Sequence, residues 1–117
     1  MSNIIYCPKC TLTTLVQVQK HGVTVDECPA CKGCWYDPGE LQRFIKDSQK
    51  LTDTLDKGLL TPRAGDRKCP RCKITMQNGG LSSEFLRIDR CNQCRGIWLD
   101  QSELHVLADL LGFGKAS

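Results

Sequence analysis

The spacing of eight cysteines constrains this chain more than any other feature. Cys7-Pro8-Lys9-Cys10 is followed, 17 residues on, by Cys28-Pro29-Ala30-Cys31, and Cys69-Pro70-Arg71-Cys72 is followed, 18 residues on, by Cys91-Asn92-Gln93-Cys94. A CxxC turn delivers two sulfurs to one side while its backbone N–H groups can point at them as thiolates. Two such turns brought together by a hairpin close a tetrahedron, and loops of about 15–20 residues between the pairs are the signature of a zinc site. The spacing predicts one zinc ion on Cys7, Cys10, Cys28 and Cys31 and a second on Cys69, Cys72, Cys91 and Cys94. Four thiolates leave no open coordination position, so both ions are expected to be structural rather than catalytic.

Disulfides and iron–sulfur ligation are the competing uses of so many cysteines. The start of the chain, Met1-Ser2-Asn3-Ile4-Ile5-Tyr6, has neither the basic residues nor the apolar run of a signal peptide, and no apolar run approaches the ~18–20 residues that cross a bilayer. A cytoplasmic location with no membrane partner is therefore expected, and reducing cytosol favours metal thiolates over disulfides.

The chain also repeats itself. Val25-Asp26-Glu27-Cys28 through Trp35-Tyr36-Asp37-Pro38-Gly39-Glu40-Leu41 returns as Ile88-Asp89-Arg90-Cys91 through Trp98-Leu99-Asp100-Gln101-Ser102-Glu103-Leu104. The offset is 62 residues before the intervening hairpin and 63 after it, so one residue is inserted in the second hairpin. In the first repeat Thr13 to Gln19 and Val23 to Glu27 read as strands around a Lys20-His21-Gly22 turn. In the second, Ile74 to Gln77 and Phe85 to Asp89 flank Asn78-Gly79-Gly80. After each hairpin comes a helix start: Asp37 as N-cap, Pro38 at the first position and Glu40 completing a capping box, an arrangement that Asp100 and Glu103 repeat. The first helix is expected to run to about Lys57 and the second to stop at Gly112.

The fold class is thus small α+β: two tandem zinc ribbons, each followed by a helix. Residues 1–57 form the first unit, 58–66 a linker read from Thr61-Pro62-Arg63-Ala64-Gly65-Asp66, and 67–117 the second. Units of ~45–60 residues bury too little apolar surface to fold alone, whereas a structural zinc contributes ~10–16 kcal/mol of apparent binding energy to folding.

The formal charge of +3 does not survive metallation. Eight thiolates and two zinc dications change it by −4, to −1, so global charge is no argument for a polyanionic partner. Locally, Lys9, Lys32, Arg71, Lys73, Arg90 and Arg95 cluster near the knuckles, either as phosphate contacts or as compensation for the net −2 at each site. Cys34, the ninth cysteine, stands where the second repeat has Ile97. It reads as a small buried hydrophobe or, alternatively, as a redox-active thiol or substitute ligand. Trp35 and Trp98 are expected to pack between ribbon and helix, and His21 and His105 to be surface residues. Glu40 and Glu103 are absorbed by capping, no ionisable constellation remains, and the protein is expected not to be an enzyme.

Cys-Pro-x-Cys, followed by a hairpin ending in Asp-x-Cys-x-x-Cys-x-Gly-x-Trp-hydrophobic-Asp-x-x-Glu-Leu, resembles the transcription factor IIB-type zinc-finger family of small, largely bacterial proteins. Cys7, Cys10, Cys28, Cys31, Gly33, Trp35, Asp37, Glu40 and Leu41 fall on the motif, as do Cys69, Cys72, Cys91, Cys94, Gly96, Trp98, Asp100, Glu103 and Leu104. Thr11 and Lys73 stand where the family usually has glycine, and Asn92 replaces a proline. The resemblance implies zinc ribbons and a binding module that contacts transcription machinery or nucleic acid. Two alternatives accompany it: an adaptor or oligomer using Leu51, Leu55 and Leu59 of the first helix, and a thiol redox or zinc-responsive switch using Cys34.

Overall fold

The computed structural model describes residues 4–20, 22–43, 45, 48–81 and 86–111. The first repeat contributes β1 (Val16–Lys20), β2 (Val23–Glu27) and β3 (Cys34–Tyr36), a 3-10 turn at Leu41–Arg43 and helix α1 (Ser48–Asp56). The second contributes β4 (Leu60–Lys68), β5 (Thr75–Gly80), β6 (Arg87–Arg90), β7 (Ile97–Leu99) and helix α2 (Gln101–Leu111). The small α+β architecture of two ribbons and two helices holds, but the ribbons do not stand apart. All seven strands form one antiparallel sheet in the order β1-β2-β3-β7-β6-β5-β4.

The seam is the pairing of β3 with β7, in register Cys34↔Leu99, Trp35↔Trp98 and Tyr36↔Ile97. Both strands are short and buried at every position. Alternation along them separates two cores. Cys34, Tyr36, Ile97 and Leu99 point to one face, where they join Val25, Ile88, Leu41, Leu51, Leu55 and Leu107 under the helices. Trp35 and Trp98 point to the other, where they join Ile5, Leu15, Met76 and the cysteines of both knuckle sets. The sheet is therefore a partition between a helix layer and a metal layer.

Four expectations need correction. Residues 58–66 read as a linker, yet Leu60–Lys68 is an edge strand on β5. Pro62 is compatible with that position because an edge strand need not donate every N–H, and β-bulges absorb the irregular register. Asn78-Gly79-Gly80 read as a turn but lies inside β5. The small side chains serve close packing there: a Cβ on Gly79 would sit 2.5 Å from the Leu59 Cβ.

The first helix does not begin at Asp37. Pro38-Gly39, with Gly39 at φ 89°, makes a turn closed by Glu40 N–H donating to the Asp37 carbonyl at 2.9 Å, and α1 starts only at Ser48. Proline followed by a left-handed glycine is the signature of a type II turn. Asp100-Gln101-Ser102-Glu103 has no glycine, and there Leu104 N–H reaches the Asp100 carbonyl to continue as a helix. Finally, Leu51, Leu55 and Leu59 are buried within the chain and unavailable as an interface. In smaller differences, β1 runs Val16–Lys20 rather than Thr13–Gln19. His21, Phe44, Phe85 and Gly112 lie outside the described residues. No helix among the described residues is long and apolar enough to cross a membrane.

Candidate metal centres

Each knuckle is built the same way. The N–H of the residue after the second cysteine donates to the carbonyl of the first cysteine: Thr11 to Cys7, Lys32 to Cys28, Lys73 to Cys69 and Arg95 to Cys91, at 2.8–2.9 Å. Closing that turn puts Thr11, Lys32, Lys73 and Arg95 in the left-handed region, at φ 63–69°. Each second-cysteine N–H points at the first cysteine's sulfur, at 3.2 Å for Cys10–Cys7 and Cys72–Cys69 and 3.4 Å for Cys31–Cys28 and Cys94–Cys91.

The eight sulfurs assemble into two groups, Cys7, Cys10, Cys28, Cys31 and Cys69, Cys72, Cys91, Cys94, each with its members within 4.8 Å of one another. The Sγ atoms of Cys7 and Cys31, of Cys10 and Cys28, and of Cys69 and Cys94 lie 3.8 Å apart. A tetrahedron with metal–sulfur bonds of about 2.3 Å has edges of about 3.8 Å, so the donors fit zinc, whereas a disulfide needs about 2.05 Å. All nine cysteines are free. The thiols are not equivalent. Burial pushes Cys7 far up and Cys69 to about 12. Burial acts the same way on Cys28 and Cys91, but there the N–H groups of Cys31 and Ala30, and of Cys94 and Gln93, together with neighbouring thiols, outweigh it and bring both down to about 7. The turn N–H groups thus favour ionisation of Cys28 and Cys91, as ligation to a metal requires.

With that geometry in place, the comparison with known families is decisive. The family model described as transcription factor zinc-finger matches the chain twice, over residues 6–47 and 68–109. The chain belongs to that family. No functionally curated protein and no solved structure matches it significantly. In the transcription factor zinc-finger repeats of this chain, the two sets of four cysteines suit two zinc ions, one in each repeat.

The family's glycine and tryptophan explain how the repeats join. A Cβ on Gly33 would lie 2.4 Å from Trp98 Cζ2, and a Cβ on Gly96 would lie 2.1 Å from Trp35 Cζ2. Each indole fills the hollow left by the other repeat's glycine, and both rings are 0% exposed. The tryptophans pack repeat on repeat rather than ribbon on helix as expected. Their indole N–H groups donate to Asp37 Oδ1 at 2.9 Å and Asp100 Oδ1 at 3.2 Å. Those aspartates receive Glu40 and Glu103 at their own N–H groups, at 2.9 and 2.8 Å, which is the carboxylate half of the expected capping boxes.

Arginines neutralise this ring. Arg71 reaches across from the second repeat's first knuckle to hold Asp37 with two hydrogen bonds, at 2.6 and 2.9 Å, and lies 3.4 Å from Asp26. Arg67 holds Asp100 at 3.1 Å and lies 3.7 Å from Asp89. Arg71 is therefore a bridge between repeats, not a free phosphate contact. Arg90 is buried, with Nη1 donating to the Leu55 carbonyl at 3.1 Å. Lys9, Lys32, Lys73 and Arg95 are exposed. Arg67 was not legible as a site residue because its partners are remote in sequence.

Cys34 faces the helix layer, away from the metal layer. It is 2% exposed, its Sγ lies 3.9 Å from Glu27 Oε2, and burial pushes the thiol up to about 11. These are the surroundings of a packing residue.

Burial also raises Glu103, with the charges of Asp100 and Asp89 adding and the Asp100 N–H and Arg67 opposing, to about 7. The folded state therefore holds this proton more tightly than the unfolded chain. The contribution to stability is complete below the unfolded value near 4.5 and is lost as pH rises through about 7. Glu103→Gln keeps an oxygen for the Asp100 N–H. Discounted for the water that reaches the group, it should stabilise the zinc-loaded protein at pH 8 by about 1–2 kcal/mol. The gain at pH 6.5 should be smaller, read from denaturant midpoints. An equal effect at both pH values would show that Glu103 does not titrate in this window.

Proposed function

We propose that this protein is a non-enzymatic, zinc-stabilised binding module that contacts single-stranded nucleic acid in the setting of transcription. One observation supports the reading best. The first knuckles of the two repeats flank a groove of about 390 Å³ lined by Tyr6, Pro8 and Thr11 on one side and Lys68, Pro70 and Lys73 on the other. Tyr6 is 45% exposed, and both lysines are exposed. An open aromatic ring across a groove from two lysines suits a base stacked on the ring with its phosphates on the lysines. Asp66 also lines the groove and lowers its net charge. Lys9, Lys32 and Arg95 extend the cationic surface around the knuckles. The net charge near −1 makes affinity depend on this local arrangement.

The test is a fluorescent single strand titrated at several salt concentrations. Each phosphate contact contributes a slope of about −0.7, so a slope of log affinity on log salt of about −2 to −4 is expected. Lys73→Ala should flatten it by about 0.7, and Tyr6→Ala should weaken binding roughly 5- to 100-fold without changing the slope. No measurable binding at physiological salt would refute the reading. The adaptor reading keeps one support, Leu12, an apolar side chain that is 89% exposed. Light scattering would then show self-association that Leu12→Ser removes.

A further inference from the structure

Arg90 has no acidic partner among the described residues. Its side chain is 9% exposed, its Nη1 donates to the Leu55 carbonyl at the end of α1, and its Nε has no hydrogen-bond partner among those residues. A buried charge with unsatisfied donors is costly and calls for a counter-group. The equivalent position in the first repeat shows that the fold does not demand an arginine here. Glu27 stands opposite Cys34 as Arg90 stands opposite Ile97, and Glu27 is satisfied by Lys20 at 2.6 Å. At the positions corresponding to Lys20 the second repeat has Ser82 and Ser83, neither of them charged.

The described residues leave the space beside Arg90 unfilled. A cavity of about 100 Å³ lies there, lined also by Gln42, Thr52 and the exposed Arg95. That is roughly three waters' worth of room, the size of one tetrahedral oxyanion. Two carboxylates share the wall, and neither neutralises the arginines. Asp37 is already held by Arg71 and the Trp35 indole, and Asp56 is exposed and not within ion-pair distance of Arg90 or Arg95. Among the described residues, the carbonyl end of α1 takes one Arg90 hydrogen bond, and Asp56 acts on the arginine only from beyond ion-pair distance.

We propose that this cavity is an oxyanion site in which Arg90 Nε and the Arg95 guanidinium hold a dianionic phosphate group. Planar guanidinium donors suit phosphate oxygens, and a buried arginine facing a second one gains most from an anion between them. The site shares no lining residue with the Tyr6 groove, and of its two arginines only Arg95 also belongs to the cationic surface around the knuckles.

The experiment is a titration of the zinc-loaded chain, freed of excess metal, with inorganic phosphate and separately with adenosine 5′-monophosphate, followed through the arginine Nε–H resonances. One resonance should shift saturably with a dissociation constant of about 1 mM or below. Arg95→Gln should weaken binding roughly tenfold or more while that resonance remains, the effect of losing one charge-assisted hydrogen bond. Arg90→Met, with two zinc ions retained, should abolish it. If Arg90→Met fails to fold, Arg95→Gln decides. Binding of inorganic phosphate alone marks a site for the free ion, and binding of the mononucleotide as well marks one for a phosphoryl group on a larger molecule. Absence of a saturable shift at about 50 mM phosphate, or one that Arg95→Gln leaves unchanged, would overturn the assignment.

Discussion

Replacing Cys91 with serine is expected to cost the chain one of its two zinc ions and the native packing of both repeats. Cys91 is fully buried, its ionisation favoured by the turn N–H groups, and it is part of one core with Trp35, Trp98, Met76 and the first repeat's Cys7 and Cys28. Structural zinc contributes ~10–16 kcal/mol of apparent binding energy, comparable with the whole stability of a typical domain. Loss of one ion therefore removes the support under Trp98, and with it the hollow that Gly33 shares with that ring. Elemental analysis should fall from two zinc ions to one, with loss of chemical-shift dispersion in residues of both repeats. A chelator strong enough to strip both ions should unfold the chain. Cys34→Ala, on the opposite face of the sheet, is the control that keeps both ions. If Cys91→Ser left the first repeat's resonances in place, the shared core would not couple the two sites.

The second large effect is expected from a single methyl group. In Gly96→Ala the new Cβ would fall 2.1 Å from Cζ2 and 2.4 Å from Cη2 of Trp35. Those atoms belong to a fully buried ring held by its own hydrogen bond to Asp37, so the ring cannot swing aside. The backbone must move instead, at the strand pair that joins the repeats. Overpacking of this kind costs about 1–3 kcal/mol or more, and here it acts on both halves at once. Thermal unfolding of the zinc-loaded variant should begin well below that of the parent, or the variant should not fold. Gly22→Ala provides the comparison. It has open space for a Cβ but a φ of 80°, so it should cost only about 1 kcal/mol. A Gly96→Ala protein that melts with the parent would refute the interlocked packing of Trp35 on Gly96.

Local chemistry was legible from the chain alone. The eight ligands, their division into two sets and the hairpin joining each set follow from cysteine spacing, because a tetrahedral ion accepts few arrangements of four short side chains. The bonds of Glu40 and Glu103 to the N–H three residues back were readable for a similar reason, since a carboxylate at that distance has one backbone N–H within reach, though only Asp100 opens an α-helix. Where reading failed locally, a signal was present. Pro38-Gly39 marked a turn rather than a helix start, and Gly79 marked close packing rather than a bend.

What only the tertiary structure decided is everything that passes between the repeats. Each repeat carries a Gly-x-Trp segment, and nothing within one copy states that its tryptophan lies against the other copy's glycine. Two short, wholly buried strands pair only when both exist, and the pairing of β3 with β7 turns two ribbons into one sheet. Arg71 read as a phosphate contact or as charge compensation until the fold brought Asp37 to it, Arg67 gave no signal until Asp100 met it, and Arg90 read like Arg71 until the sheet placed it under α1. Leu51 and Leu55 read as an available face until the same sheet covered them. The physical reason is common to all of these. Metal ligation and capping are short-range and leave their geometry in the spacing of residues, whereas burial depends on which surfaces meet, and that is settled by the whole chain at once.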